Sequence, residues 1–347
     1  MTEKSMRAVT LLGEKQIEIR EVPIPIPSAG EVLVRVRAAT TCGTDVKIYQ
    51  RGHPKFSPPF IFGHEFGGDI VAIGSGVEGF SPGMRVTANV FGECGHCHYC
   101  QLGQGNLCEN LEYNFGAFAD FNLIPASIVR ENLFVIPDHI SYAEAAIVEP
   151  LVCVVHASRM INIQPGERVV MIGAGGPISL LFLQMIRNSG AGEIIALGHS
   201  DMRLGLAKKL GADIVINVKN VNSQDKINEI TGGMGADVVI ECAGTKIAWE
   251  SAVQVTRRGG RVLWFGGLPG GTMVSVDAAK VHYGEISLIN SHGGTTEDAN
   301  RAFDLIVTGK INTQALLTEE MMLSQVGEAI NKMIAGQAVK VAIKPYP

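Results

Sequence analysis

The chain is predicted to be an α/β protein in two parts, a β-rich part and a doubly wound parallel sheet, on three observations. Its 347 residues exceed what one hydrophobic core usually supports. Before about residue 150, short apolar stretches are broken by glycine and proline, whereas after Pro165 apolar strands alternate with amphipathic helices. The stretch VVMIGAGGPISLLFL sets Gly173, Gly175 and Gly176 between an apolar strand and a helix, a usual opening for such a sheet.

In the first part, 31–37 and 66–73 read as strands, with the rigid Pro23, Pro25 and Pro27 run between strands. In the second, strands are expected at 168–172, 193–197, 213–216, 237–241, 261–265 and 285–289. Helices are expected at 178–188, 202–210 and 247–257. Apolar runs joined by helices are what parallel strands buried on both faces require. After Gly293, helices at 298–308 and 323–335 and a strand at 339–343 are too little for a separate domain. They are expected to return to the β-rich part.

Apolar residues make up 46% and charged ones 18% without repeats, which excludes a disordered chain. A formal charge of -5 with no basic stripe excludes nucleic acid and anionic membrane surfaces as favoured partners. The start, MTEKSMRAVT, has no apolar signal core, and the apolar stretch 178–186 is short and broken by Ser179 and Gln184. The expected location is the cytoplasm, and seven cysteines with four committed to a metal fit a reducing compartment.

Those four are Cys94, Cys97, Cys100 and Cys108, spaced CxxCxxCx7C. Such crowding suits four thiolates closing around one zinc ion, and four sulfurs leave no open coordination position, so this zinc is expected to be structural. A redox dithiol would need only two of them. His96 and His98 lie in the same lobe, but the tetrahedron is complete without them.

The other metal-competent groups are Cys42 in TTCGTD, His64 and Glu65 in FGHEFGG, and Glu149 in VEP. Spacing alone does not unite them. Taken in order with the cysteine lobe and the glycine-rich segment, they make the chain resemble the zinc-dependent medium-chain alcohol and polyol dehydrogenases. The sorbitol and threonine dehydrogenase branch is the most similar, from Met6 to the C-terminus. The resemblance implies a GroES-like β-rich catalytic domain of residues 1–155 and 295–347, with the structural-zinc lobe at 92–110, and a Rossmann domain of residues 156–294.

It also implies a catalytic zinc held by Cys42, His64 and Glu149, with Glu65 as a nearby or alternating carboxylate. Relatives with a Cys2His site have a second cysteine where this chain has Glu149. The Cys42 thiolate and the Glu149 carboxylate would cancel the two charges of zinc, whereas permanent binding of Glu65 would make the site anionic. Glu65 is therefore expected to bind transiently or through water. Zinc lowers the pKa of bound water to about 7, and an alcohol should be acidified likewise. By the same resemblance Thr44 starts the proton relay. Where a histidine commonly stands three residues further on, this chain has Lys47, which can meet a cofactor phosphate or an anionic substrate but is a poor proton relay at its usual pKa near 10.4. Cys153, Cys242 and His156 are expected to be core residues.

Backbone amides of the glycine loop and the following helix can receive a pyrophosphate, with Gly173, Gly175, Gly176, Pro177 and Ile178 as the candidate segment. The family pattern GxGxxG puts Ile178 at the third glycine's place, or Ser179 if one residue is inserted; the insertion is preferred because serine is small. In the family an acid five residues before an RL pair accepts the adenosine ribose. Counting back from Arg203 and Leu204 gives Gly198. Without that carboxylate, and with His199, Ser200 and Arg203 as donors to a 2′-phosphate, NADP(H) is favoured over NAD, although Asp201 could still fold onto the ribose.

The expected activity is hydride transfer between NAD(P) and a secondary alcohol, a polyol, sugar alcohol or sugar derivative, by a homodimer or homotetramer with two zincs per chain. An L-threonine-type amino-alcohol dehydrogenase is the neighbouring alternative, and a noncatalytic zinc- and dinucleotide-binding protein the third. Phe56, Phe115 and His292 are candidates for lining a substrate cleft.

Overall fold

The structure, a computed structural model, describes residues 4–52, 56–219 and 221–346. It divides into two compact units, Met1–Val152 with Gly294–Pro347, and Cys153–Gly293.

In the first unit the strand Val32–Thr40 is central, because its sequence VLVRVRAAT buries both faces. Phe66–Ile73 pairs with it antiparallel along one side. The other side is shared: Phe121–Ile124 pairs with Val32 to Arg35, and the C-terminal strand Lys340–Lys344 with Ala39 and Thr40. This last pairing carries residue 340 beside Thr40 and Thr41, 300 residues away in sequence, with the Val341 amide donating to Thr41 Oγ1 at 2.9 Å. Below the sheet, Phe62, Phe66 and Phe118 are fully buried with Val34, Val36, Ile70 and Ile343. Truncating one such phenylalanine to alanine typically costs about 3–5 kcal/mol.

The second unit is a six-stranded parallel sheet. From one edge to the other its strands are Ile214–Asn217, Ile194–Gly198, Val169–Ile172, Ala236–Glu241, Thr256–Trp264 and Ser287–Asn290. Numbered by chain position this order is 3-2-1-4-5-6, that of dinucleotide-binding sheets, in which ligands bind beyond the carboxyl end of the first strand. That end is Ile172, and the glycine loop follows it. No helix among the described residues is long and apolar enough to cross a membrane.

One expectation about elements needs correction. The helix predicted over 247–257 ends at Gln254, and the next strand starts at Thr256 instead of 261. The β-branched Val255 and Thr256 favour the strand, and Thr256 pairs in parallel with Ala236 across an irregularity in the register. Helices Ser223–Thr231 and Ala278–Tyr283, not anticipated, fill two further crossovers.

Candidate metal and cofactor sites

Cys42, His64, Glu65 and Glu149 each present one ligand atom, and these atoms all lie within 4.8 Å of one another. All four residues are buried. Cys42 is the N-cap of helix Gly43–Arg51, His64 and Glu65 precede strand Phe66–Ile73, and Glu149 lies in the first turn of helix Val148–Ile161. One sulfur, one imidazole and carboxylate oxygens in a dry pocket are a donor set that fits zinc.

The imidazole lies between two carboxylates. Its Nε2 lies 3.8 Å from Glu149 Oε2, and its Nδ1 lies 3.0 Å from Asp45 Oδ1. Asp45 is fully buried, and its other oxygen accepts the Cys42 amide at 2.8 Å. A carboxylate behind the ligating histidine fixes ring orientation and raises its basicity. Burial alone would lower the His64 pKa, but the Asp45 and Glu149 carboxylates raise it well above its ordinary value. Burial pushes Glu149 up to about 7 and raises the Cys42 thiol. A divalent cation would relieve such buried acidic groups. Asp45 stands in the CGTD segment, yet its role is visible only once His64 folds beside it. Replacing Asp45 with asparagine should weaken zinc binding at this site by about 10–100-fold, measured by chelator competition.

Glu65 has a different environment from the other three. Its Oε2 accepts from both the Thr40 hydroxyl and the Lys340 ammonium. Lys340 is fully buried and donates as well to the Thr41 carbonyl at 2.8 Å. Burial would lower the Lys340 pKa, but the neighbouring Glu65, Cys42 and Asp45 together raise it above its ordinary value. The charge of Glu65 is thus answered by Lys340, while Cys42 and Glu149 remain to match a divalent ion.

Thr44 and Lys47 are exposed and lie three residues apart, on adjacent turns of the helix that Cys42 caps. The Thr44 amide donates to Cys42 Sγ at 3.4 Å, which keeps that residue next to the cluster. On another side, the Phe115 ring is 5.5 Å from His64, and Phe56 packs 4.7 Å from Phe115. His292 is exposed.

The second cluster gathers Cys94, Cys97, Cys100 and Cys108, again within 4.8 Å. A two-stranded stem, Phe91–Gly92 against Glu112–Tyr113, brings the ends of this lobe together. The peptide amides of Cys94 and Asn110 point at Cys108 Sγ at 3.4 and 3.3 Å. Backbone amides at His96 lower the Cys94 pKa to about 6, and those at Cys100 and Glu109 lower that of Cys97. Burial raises Cys100 and Cys108. Amides turned onto sulfur stabilise thiolates, which four-sulfur zinc sites need. Cys153 and Cys242, expected in the core, are only half-buried; His156 is buried.

In the second unit, Gly173 and Gly175 have φ of 83° and 101°, and a Cβ on either would meet Ala243 N at 2.6 Å or Arg203 Cβ at 2.5 Å. Only glycine fits at either place. Ser179, 1% exposed, accepts the Gly175 amide and donates to the Gly176 carbonyl, both at 2.9 Å. Its hydroxyl thus closes the loop onto helix Pro177–Asn188, in which Pro177 opens the first turn and Ile178 is half-buried. This cradle beyond the first strand fits a pyrophosphate. Gly198 ends the next strand buried, followed by the exposed His199 and the half-buried Ser200, and Arg203 packs over Gly175.

Residues 28–138 match the alcohol dehydrogenase GroES-like domain, and residues 177–308 match the zinc-binding dehydrogenase domain. The sorbitol dehydrogenase of Halalkalibacterium halodurans is 34% identical over 336 residues, 96% of this chain and 97% of that one. Among solved structures, a zinc-binding dehydrogenase of Sinorhizobium meliloti 1021 bound to NADP is 32% identical with a TM-score of 0.89, covering 99% of this chain and 100% of that one. An alcohol dehydrogenase of Escherichia coli CFT073 complexed with NADH is 27% identical with a TM-score of 0.88, covering 99% and 100%. The chain belongs to the zinc-dependent medium-chain dehydrogenase family. Its activity is that of an NAD(P)-dependent alcohol dehydrogenase of polyol type.

Proposed function

We propose that this enzyme oxidises a secondary alcohol on a polyol, sugar alcohol or sugar derivative, with two zincs per chain and NADP(H) as cofactor. The convergence of Cys42, His64 and Glu149 in one buried cluster carries this reading. Those three would hold the catalytic zinc, and Cys94, Cys97, Cys100 and Cys108 the structural one. When bound, zinc supplies a Lewis acid and the nicotinamide a hydride acceptor, the two requirements for alcohol oxidation.

The protein's own groups supply the rest. Asp45 holds the His64 ring in place, and Lys340 holds Glu65 by ionic pairing, so Glu65 serves as a nearby carboxylate and not a permanent ligand. The Thr44 hydroxyl takes the alcohol proton and passes it to solvent, which its exposure permits. The Lys47 ammonium offers a charge for a cofactor phosphate or an anionic substrate. Gly173, Gly175, Gly176 and Ile178 form the pyrophosphate cradle, and Pro177 sets the start of its helix. The lack of an acid at Gly198, with His199, Ser200 and Arg203 nearby, supports NADP(H), as does the NADP complex of one relative; another relative is complexed with NADH. Seven cysteines, four of them gathered for metal, support a cytoplasmic location. A homodimer or homotetramer is the assembly we infer from the family resemblance, to be read by sedimentation.

The test is fluorescence titration with NADPH and NADH, followed by a panel of polyols and amino alcohols with product identification. Tighter NADPH binding and turnover on a polyol are expected. Tighter NADH binding would reverse the cofactor assignment, and turnover confined to L-threonine would reverse that of the substrate.

A further inference from the structure

We propose that Asn217 sets the cofactor preference by holding Asp201 away from the adenosine ribose; this rests on the NADP(H) reading above. The strand Ile194–Gly198 has two neighbours. On one side lies Val169–Ile172, which leads into the glycine loop, and on the other lies Ile214–Asn217, the sheet's edge. Asn217 is the register partner of Gly198, the place where an acid would normally face the ribose.

Two charged residues follow Gly198 within five positions, and they are sorted to opposite sides. Arg203 lies against the loop, since a Cβ on Gly175 would stand 2.5 Å from its Cβ. Asp201 is turned to the edge, where Asn217 Nδ2 donates to its Oδ1 at 2.7 Å. Asn217 is itself oriented, because its Oδ1 accepts the Lys219 amide at 3.1 Å. With its oxygen engaged there, its NH2 is left to face Asp201. The N-terminus of helix Asp201–Lys209 favours an acid at this position but does not choose which way it turns. Asn217 makes that choice.

The consequence is electrostatic. A carboxylate on the loop side would accept from the ribose hydroxyls of NAD and repel the 2′-phosphate of NADP. Held at the edge strand, it does neither.

The experiment measures NADPH and NADH dissociation constants on the zinc-loaded enzyme by nicotinamide fluorescence. It compares the wild type with Asn217→Ala, Asp201→Asn and the double variant, and Asn217→Ser replaces the alanine variant if that one does not fold. Asn217→Ala is expected to lower the NADPH-to-NADH preference by roughly fivefold or more. Asp201→Asn alone should change it by less than about twofold, and the double variant should return to the wild-type ratio. A merely structural asparagine would weaken both cofactors alike, so an unchanged ratio in Asn217→Ala overturns the inference while the NADP(H) reading stands. A wild type that binds NADH more tightly overturns that reading. The inference is then decided by Asn217→Ala alone: a further fivefold shift towards NADH retains it and no shift overturns it.

Discussion

Replacing Cys42 with serine is expected to lower turnover by about a thousandfold or more, with the loss in kcat and not only in KM. Cys42 is the single soft donor of its cluster, and its thiolate together with Glu149 matches the charge of a divalent ion. A serine hydroxyl stays protonated, so the site would keep one net negative ligand and bind zinc weakly. A Lewis acid contributes several kcal/mol to the barrier, and about 4 kcal/mol corresponds to three orders of magnitude in rate. Steady-state kinetics at saturating cofactor reads the effect. Turnover within about tenfold of wild type would mean that the cluster does not carry the chemistry.

Replacing Lys340 with methionine should destabilise the enzyme by about 3–5 kcal/mol, because it leaves the Glu65 carboxyl group buried without its cation, with Thr40 as its remaining donor among the described residues. Both side chains of the pair are fully buried, so salt screens the interaction little. The melting temperature should fall on the order of 10 °C. Adding Glu65→Gln removes the stranded carboxyl group and should recover most of the loss, since paired removal of a buried ion pair is often close to neutral. If Lys340→Met melted at the wild-type temperature, Glu65 would have to find its compensation elsewhere.

The fold class was legible in the sequence because its signals are local. Apolar runs such as VVMI and IIALG, each closed by glycine, read as buried parallel strands without reference to anything distant. The cysteine lobe is legible for the same reason, since its four sulfurs fall within fifteen residues. Asp45 and Lys340 were missed because each takes its role from a residue far along the chain. Both left a trace. Asp45 stands three residues after Cys42, the spacing of a capping box, in which its side chain receives the Cys42 amide. Lys340 interrupts the apolar run Ala338, Val339, Val341, Ala342 and Ile343, and a cation inside a buried strand requires an anion beside it. The Asn217 to Asp201 bond left no such trace, because a strand-end asparagine and a helix-start aspartate are each common on local grounds alone. The early start of the strand at Thr256 was hidden by a helical pattern that runs through Val253, until pairing with Ala236 takes over.

Zinc counting on the wild type and on Cys42→Ser, with turnover measured on the same samples, tests the central claim most directly. The account predicts two zincs per chain in the wild type, and one zinc with turnover nearly abolished in the variant. A fully active wild type with one zinc per chain, or a variant that keeps its turnover after losing one, would contradict it.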